Sequence, residues 1–177
     1  MFRIFLIMVA ASTLAGGVAT AQTPYAGMQA RPIKALSEQQ VADLRAGRGM
    51  GMALPAELNG YPGPSHLLEL GDQLGLSDTQ RAAVKDLFEA MKAEAIPLGE
   101  RLIAQEAALD GLFAERTVTP ESLAAATSAI GQSAASLRNA HLKYHLATVA
   151  LLEPEQIERY AALRGYNGGQ PQKHRPH

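Results

Sequence analysis

The chain has 177 residues, 16 basic and 17 acidic side chains, a net charge of −1 and no cysteine. Its length suits a single domain, and its charge excludes the basic face that nucleic-acid binding requires. The lack of cysteine excludes disulfides, thiol redox chemistry and cysteine-ligated metals. A folded domain of this chain therefore has to be held together by its apolar core.

The N-terminus has the three parts of a secretory signal peptide. Arg3 supplies a positive charge, residues 4–11 form an apolar run, and Ala19-Thr20-Ala21 provides a cleavage pattern. The apolar run is shorter than the roughly 20 residues of a membrane-spanning helix. The alternative, an uncleaved anchor, is disfavoured because small residues follow the run directly. We expect residues 1–21 to be a signal peptide cut after Ala21, which makes the mature chain periplasmic and without a membrane span.

Two irregular segments flank the predicted helical region. Residues 22–65 are rich in glycine, proline and turn signals. They predict an N-terminal arm that wraps the helical body, with a short helix over residues 37–46 and one or two helical turns within residues 52–58. Residues 166–177 have no apolar side chain after Tyr166 and predict a disordered tail.

Residues 66–165 have the pattern of a helical domain. They predict a short helix over residues 66–74, two long helices over residues 77–115 and 120–151, and a last helix over residues 154–165. Each long helix carries one apolar stripe, because apolar residues recur in steps of three and four. The stripes contain Val84, Leu87, Met91, Ala95, Leu98, Leu102, Leu109 and Leu112 on the first helix, and Leu123, Ala126, Ile130, Ala134, Leu137, His141, Tyr144 and Thr148 on the second.

The fold class that follows is all-α: a long antiparallel helical hairpin with short flanking helices and an irregular N-terminal arm. A tight turn at residues 117–119 joins the two long helices, and Pro97 within the first predicts a kink. A two-helix hairpin covers only part of its apolar surface. The short helices and the arm can cover some of the rest, and a second copy could cover what remains, so we expect a homodimer.

One pentapeptide recurs at three predicted helix starts: residues 36–40 (LSEQQ), 76–80 (LSDTQ) and 152–156 (LEPEQ). In the first two copies a serine can cap the helix while the glutamine reaches back to the serine N–H, which forms a capping box. In the third copy Glu153 is a poor cap, so Pro154 has to contribute more to the helix start. The motif therefore indicates where helices begin and carries no chemistry of its own.

These motifs, on a small exported helical chain, resemble the Leu-Thr-x-x-Gln motifs of the Spy/CpxP family of periplasmic chaperones. The resemblance covers residues 76–166, with Ser77 and Glu153 standing where the family usually has threonine. It implies an ATP-independent chaperone or envelope-stress protein that binds unfolded or partner proteins. The same superfamily includes periplasmic heavy-metal sensor and resistance proteins, which makes metal binding the alternative function.

Four residues are candidate metal ligands. His141 and His145 are spaced i, i+4 on a predicted helix, and His66 and Glu69 are spaced i, i+3 on another, so each pair shares a helix face. The metal sensors that the chain resembles use histidine pairs with a carboxylate or methionine, which implies a site for zinc, nickel, cobalt or copper. The alternative is that His141 is a hydrogen-bonded core residue and His145 faces water.

Two further sets of residues have a candidate role. Met50 and Met52 could offer thioethers to Cu(I), although methionines in a loop more often cover apolar surface. Five basic residues lie along the long helices: Lys85, Lys92, Arg101, Arg138 and Lys143. In the chaperones that the chain resembles, a concave face mixes basic and apolar groups and holds unfolded chains. The alternative is a solvated helix face.

Enzyme motifs are missing from the sequence. It contains no Gly-x-Ser-x-Gly, no His-Glu-x-x-His and no phosphate-binding loop. The glycine-rich residues 47–51 do not follow a predicted strand, which disfavours a nucleotide site. The sequence therefore predicts a binding protein and not an enzyme, without a cofactor other than the candidate divalent metal.

Overall fold

The computed structural model describes residues 25–166, so the predicted signal peptide and the tail after Tyr166 lie outside the described residues. Within this range the chain forms seven α-helices, a short 3-10 helix at Met28–Ala30 and no strand. The helices are α1 (Glu38–Arg45), α2 (Leu54–Glu57), α3 (Pro64–Glu69), α4 (Gly71–Leu74), α5 (Asp78–Ala114), α6 (Pro120–Val149) and α7 (Pro154–Leu163). The predicted all-α class is confirmed.

The two long helices form the predicted hairpin. Helix α5 has 37 residues and α6 has 30, and the two pack against each other. The N-cap Ser77 accepts a hydrogen bond from the backbone N–H of Gln80 at 3.1 Å, and Thr119 does the same for Ser122 at 3.2 Å. Helix α5 continues through Pro97, which lies on an exposed side. The kink at Pro97 stays a prediction.

Two apolar clusters hold the helices together. One joins Leu44 of α1 to Ala95 and Ile103 of α5 and to Leu137 of α6. The other surrounds the junction of α3, α4, α5 and α7, where Leu67, Leu74, Leu76, Val84 and Tyr160 are buried. The core is thus built at the middle of the hairpin and at its open end, where the short helices and the arm cover it.

The predicted apolar stripes contain many of the buried residues of the hairpin, but they omit others, including Ser133 and Ala140 of α6, and include one that is exposed. Gly99 and Ile103 are buried although the stripe omits them, because α1 crosses α5 there: a Cβ atom on Gly99 would lie 2.6 Å from the carbonyl oxygen of Leu44. Leu123 belongs to the stripe but is 37 % exposed. It lies near the closed end of the hairpin, beyond the clusters that the short helices complete.

The single helix predicted over residues 66–74 is wrong, because two helices occupy this stretch. Helix α3 begins earlier, at Pro64, and the chain leaves helical geometry at Leu70 before α4 begins. A Cβ atom on Gly71 would lie 2.5 Å from a guanidinium nitrogen of Arg81. Glycine is a weak helix former. Because Gly71 has no side chain, it leaves room for Arg81 of α5, which packs where α3 ends and α4 begins.

The N-terminal arm lies along the hairpin. Helix α1 packs on α5, and Lys34 forms an ion pair with Asp110 at 3.1 Å. Residues 46–63 then cross toward α6 and lead into α3. As for the membrane, none of the helices within residues 25–166 combines the length and the apolar character that a bilayer span needs.

Candidate functional site

A cavity of about 640 Å³ lies between the arm and the middle of the hairpin. Four parts of the chain form it: the glycine-rich loop after α1, the α2 region, one side of α3, and facing side chains of α5 and α6. Arg164 and Tyr166 complete the wall from beyond α7. Its volume is in the range of small-molecule pockets in proteins. All four predicted ligands, His66, Glu69, His141 and His145, line this one cavity.

His141 is buried beneath the glycine-rich loop. Its ring is 3 % exposed, and a Cβ atom on Gly49 would lie 3.5 Å from its Nδ1. The Nε2 atom is buried and has no hydrogen-bond partner within residues 25–166. Burial lowers the pKa of His141, and the neighbouring His145 lowers it further. The folded chain therefore holds an imidazole that is neutral near pH 7 and has an unused hydrogen-bonding nitrogen.

His145 is buried as well, but its environment is different. Its Nδ1 donates a hydrogen bond to the carbonyl oxygen of Tyr61 at 2.6 Å, and this nitrogen lies 3.9 Å from a carboxylate oxygen of Glu57. Because a carbonyl oxygen only accepts hydrogen bonds, Nδ1 carries the proton. A Cβ atom on Gly63 would lie 2.7 Å from Cε1 of His145, so the arm backbone approaches the ring closely.

Glu57 is the centre of a buried polar network that joins the arm to the C-terminal helix. Its carboxylate is 7 % exposed and accepts hydrogen bonds from the hydroxyls of Tyr160 and Tyr166, the latter at 3.0 Å. The backbone N–H of Gly63 donates to its other oxygen at 3.3 Å. Arg164 lies 3.7 Å away. These donors stabilise a carboxylate that would be costly to bury alone. Burial and the bond to Glu57 raise the pKa of Tyr160.

The lining of the cavity contains both sulfur and positive charge. Met50 lies in the loop with a φ of 44°, a left-handed conformation that is uncommon for a residue other than glycine. Lys92 extends from α5 with its Nζ 5.5 Å from the centroid of the Phe88 ring. Within residues 25–166, Lys92 forms no ion pair.

The glutamines of two pentapeptides are joined to each other at the open end of the hairpin. The Gln80 side-chain amide donates to Gln156 at 2.8 Å, and the Gln156 amide donates back at 3.2 Å. Gln80 also donates to the carbonyl oxygen of Leu151 at 2.9 Å, and Gln156 donates to that of Gly75 at 3.4 Å. Each glutamine thus caps its own helix start and connects α5 to α7.

Comparison with known families identifies this pair of motifs. The family described as LTXXQ motif family protein matches residues 65–164, more than half of the chain and the part that contains both joined glutamines. The chain belongs to the LTXXQ motif family. This is the signature of Spy/CpxP-type proteins, so the predicted family is confirmed. No curated protein and no solved structure matches the chain.

The LTXXQ motif therefore does more than the sequence indicated. Both predicted capping boxes that begin with serine are present, at Ser37 and Ser77. At the third copy, the N–H of Glu153 donates to the Gln156 side chain at 3.0 Å, so glutamine contributes where the cap residue is poor. All three copies lie at helix starts, as predicted, and Gln80 and Gln156 in addition form tertiary hydrogen bonds that the sequence did not indicate. The copy at residues 36–40 lies outside the matched range; within residues 25–166 the side chain of its Gln40 bonds only to Ser37, while Leu36 packs against the cluster of Leu44 and Ala95.

The four predicted metal ligands line one cavity but do not form a ligand set as they stand. Within residues 25–166, no three histidine, aspartate or glutamate side chains are placed to hold one metal ion. His66 Nδ1 is paired with Glu69 at 3.2 Å, and His145 Nδ1 is used by Tyr61. The alternative interpretation was right that His141 is buried, but within residues 25–166 its Nε2 has no hydrogen-bond partner. It was wrong about His145, which is buried and does not face water.

Sequence reasoning missed Glu57 and its two tyrosine partners. Glu57 lies in the segment predicted to form one or two helical turns, and Tyr160 and Tyr166 lie about 100 residues later. The signal that was present is a lone carboxylate between Ala56 and Leu58 in a proline- and glycine-rich arm. Nothing in the local sequence indicates that the tyrosines approach it.

Proposed function

We propose that this LTXXQ-family protein is a periplasmic, ATP-independent chaperone or envelope-stress protein of the Spy/CpxP type, which binds unfolded or partner proteins. Family membership supports the general class. The observation that carries the finer proposal is the outer surface of the hairpin, where exposed cations without carboxylate partners accompany exposed apolar side chains. Such a surface holds unfolded chains through charge attraction and small apolar contacts.

The predicted basic residues differ in their pairing. Lys85, Arg101 and Arg138 are exposed and form no ion pair within residues 25–166. Lys143 is paired with Glu94 at 2.5 Å. Exposed apolar side chains on the same helices include Phe113 at 54 % and Leu146 at 59 %. Unpaired cations can attract acidic segments of a client without first breaking an internal ion pair.

The proposal is tested by diluting a chemically denatured client protein into ATP-free buffer with the exported chain. We expect suppression of client aggregation at stoichiometric amounts, and weaker suppression by the double variant Arg101→Gln, Arg138→Gln. The matched control is Lys34→Gln, Arg45→Gln, which removes the same charge from cations that are paired with Asp110 and Glu100. Failure of the wild type to suppress aggregation would refute the proposal.

Export and assembly are parts of the same proposal. N-terminal sequencing of the protein from a periplasmic fraction should begin at Gln22, and a full-length chain in the membrane fraction would contradict cleavage.

We propose a homodimer because Phe113 and Leu123 are exposed near the closed end of the hairpin, 54 % and 37 % respectively. Light scattering at micromolar concentrations should give twice the monomer mass, and a monomer throughout would contradict this.

Metal sensing is the second candidate function, because the cavity brings His66, Glu69, His141 and His145 to one place. Binding would require rearrangement of the His66–Glu69 pair or use of the nitrogens that the protein leaves free. Calorimetry with zinc, nickel, cobalt and copper tests it. Micromolar binding that is lost on replacement of His141 and His145, with helicity unchanged, supports metal sensing. The absence of saturable binding eliminates it.

A further inference from the structure

The cavity has the composition of a small-molecule site as well as the size. The wall of the cavity includes the apolar side chains of Leu54, Phe88 and Met91, and His141 also lines it. The His141 ring is a polar group in this lining, although its Nε2, which has no hydrogen-bond partner in the described chain, is shielded from solvent. An apolar wall with a few polar groups is typical of ligand pockets.

The charges around the cavity favour an anion. Its acidic residues are both engaged: Glu57 by the two tyrosine hydroxyls and Glu69 by His66. Two of its basic residues are engaged too, since Arg48 is paired with Asp43 at 2.7 Å and Arg164 bonds to Tyr166 at 3.1 Å. Lys92 is the basic lining residue that has no carboxylate partner within residues 25–166. Its ammonium group stands beside the Phe88 ring, so one cation adjoins apolar surface.

We propose that this cavity binds a small amphipathic organic anion, in which an apolar ring or chain carries one carboxylate or sulfonate. Phe88 and Met91 contact the apolar part, and Lys92 attracts the anionic group. This role goes beyond client binding, which uses the outer surface of the hairpin. Either activity can therefore fail in an experiment without the other.

Two anions serve as probes for the exported chain: 8-anilinonaphthalene-1-sulfonate, followed by fluorescence, and decanoate, followed by calorimetry. The chain has no tryptophan, which keeps background fluorescence low. EDTA is present throughout so that no metal bridges the probe. We expect one saturable site per chain with a Kd below about 1 mM. The neutral compound 1-decanol should bind more weakly than decanoate.

Methionine methyl resonances locate the site independently of affinity. Met50 and Met91 line the cavity, whereas Met28 and Met52 do not. With methionine methyl groups labelled for NMR, decanoate should shift the Met50 and Met91 signals and leave the Met28 and Met52 signals in place. Shifts confined to Met28 or Met52, or no shifts at saturation, would overturn the assignment to this cavity.

Charge specificity is tested with a matched pair of lysines on α5. Lys92→Gln removes the cation at the cavity and keeps most of the side-chain length. Lys85→Gln makes the same change two turns earlier, on an exposed residue that does not line the cavity. Lys92→Gln should weaken decanoate binding about fivefold, the upper end for an ion pair near the surface, and Lys85→Gln should leave it unchanged. Equal effects of the two variants, equal affinity for 1-decanol, or no saturable binding would overturn the proposal.

Discussion

The hydrogen bonds of Gln80 and Gln156 allow the contribution of helix capping to stability to be measured separately from that of the tertiary bonds. Truncation of Gln80 to alanine removes one capping bond, from the N–H of Ser77 at 3.0 Å. It also removes three bonds across the helix junction, two with Gln156 and one with the carbonyl oxygen of Leu151. The two donors and two acceptor sites of the Gln80 amide are all in use.

The magnitude follows from the number of bonds and their burial. A hydrogen bond contributes about 0.5–1.5 kcal/mol net to stability. Gln80 and Gln156 are half-buried, so water can replace part of what is lost. We therefore expect Gln80→Ala to cost about 2 kcal/mol, near the lower end for its three tertiary bonds plus the cap. Gln40→Ala is the matched control, because Gln40 makes the same capping bond to Ser37 at 2.9 Å and is exposed. It should cost about 0.5–1 kcal/mol.

The assay is urea unfolding followed by helical circular dichroism, on Gln80→Ala, Gln156→Ala and the double variant. Because the two amides bond to each other, the double variant should be less destabilised than the sum of the single variants, by at least about 1 kcal/mol. Gln80→Glu retains an acceptor for Ser77 and loses both donors, so it should resemble Gln80→Ala more than wild type. Equal costs for Gln80→Ala and Gln40→Ala, or coupling below about 0.3 kcal/mol, would refute the reasoning.

Three other predictions concern the cavity wall and its neighbours. Gly63→Ala should cost about 1–3 kcal/mol in thermal unfolding because its Cβ would collide with His145, whereas Gly131→Ala, in an open helical position, should stabilise by up to about 1 kcal/mol. The pKa of His141 is lowered in the folded state, so on acidification the unfolded chain takes up a proton first, and the free energy of unfolding should decrease below about pH 6.5. In urea unfolding measured as a function of pH, the midpoint of His141→Phe should decrease less over this range than that of the wild type. Tyr160→Phe should destabilise by about 1–3 kcal/mol because Glu57 stays buried with one donor fewer; an unchanged urea midpoint would show that Glu57 does not depend on this hydroxyl.

The local features of the fold were predictable because neighbouring residues determine them. The capping boxes at Ser37 and Ser77 use groups three residues apart, and the length of the hairpin follows from residue spacing along each helix. The break at Leu70 was not predictable in the same way. It accompanies the packing of Arg81 against Gly71, a contact between two different helices.

The sequence predicted some of the residues of the candidate site but not their contacts. The i, i+4 spacing of His141 and His145 indicated that they share a helix face, and both line the cavity. Their environments follow from the arm, which places Gly49 over His141 and the carbonyl oxygen of Tyr61 beside His145. These partners are separated from the histidines by more than 80 residues in sequence, so helix periodicity contains no information about them.

The sequence alone determined the two long helices, the capped helix starts at Ser37 and Ser77, and the family, since capping and amphipathic spacing are local and the LTXXQ motif is short. Only the tertiary structure decided which groups meet: Gln80 bonds to Gln156, Glu57 accepts from Tyr160, and His141 and Lys92 line the same cavity. The physical reason is the same in each case. A buried polar group is stabilised or left unsatisfied by partners that the fold brings close together, whatever their distance along the chain.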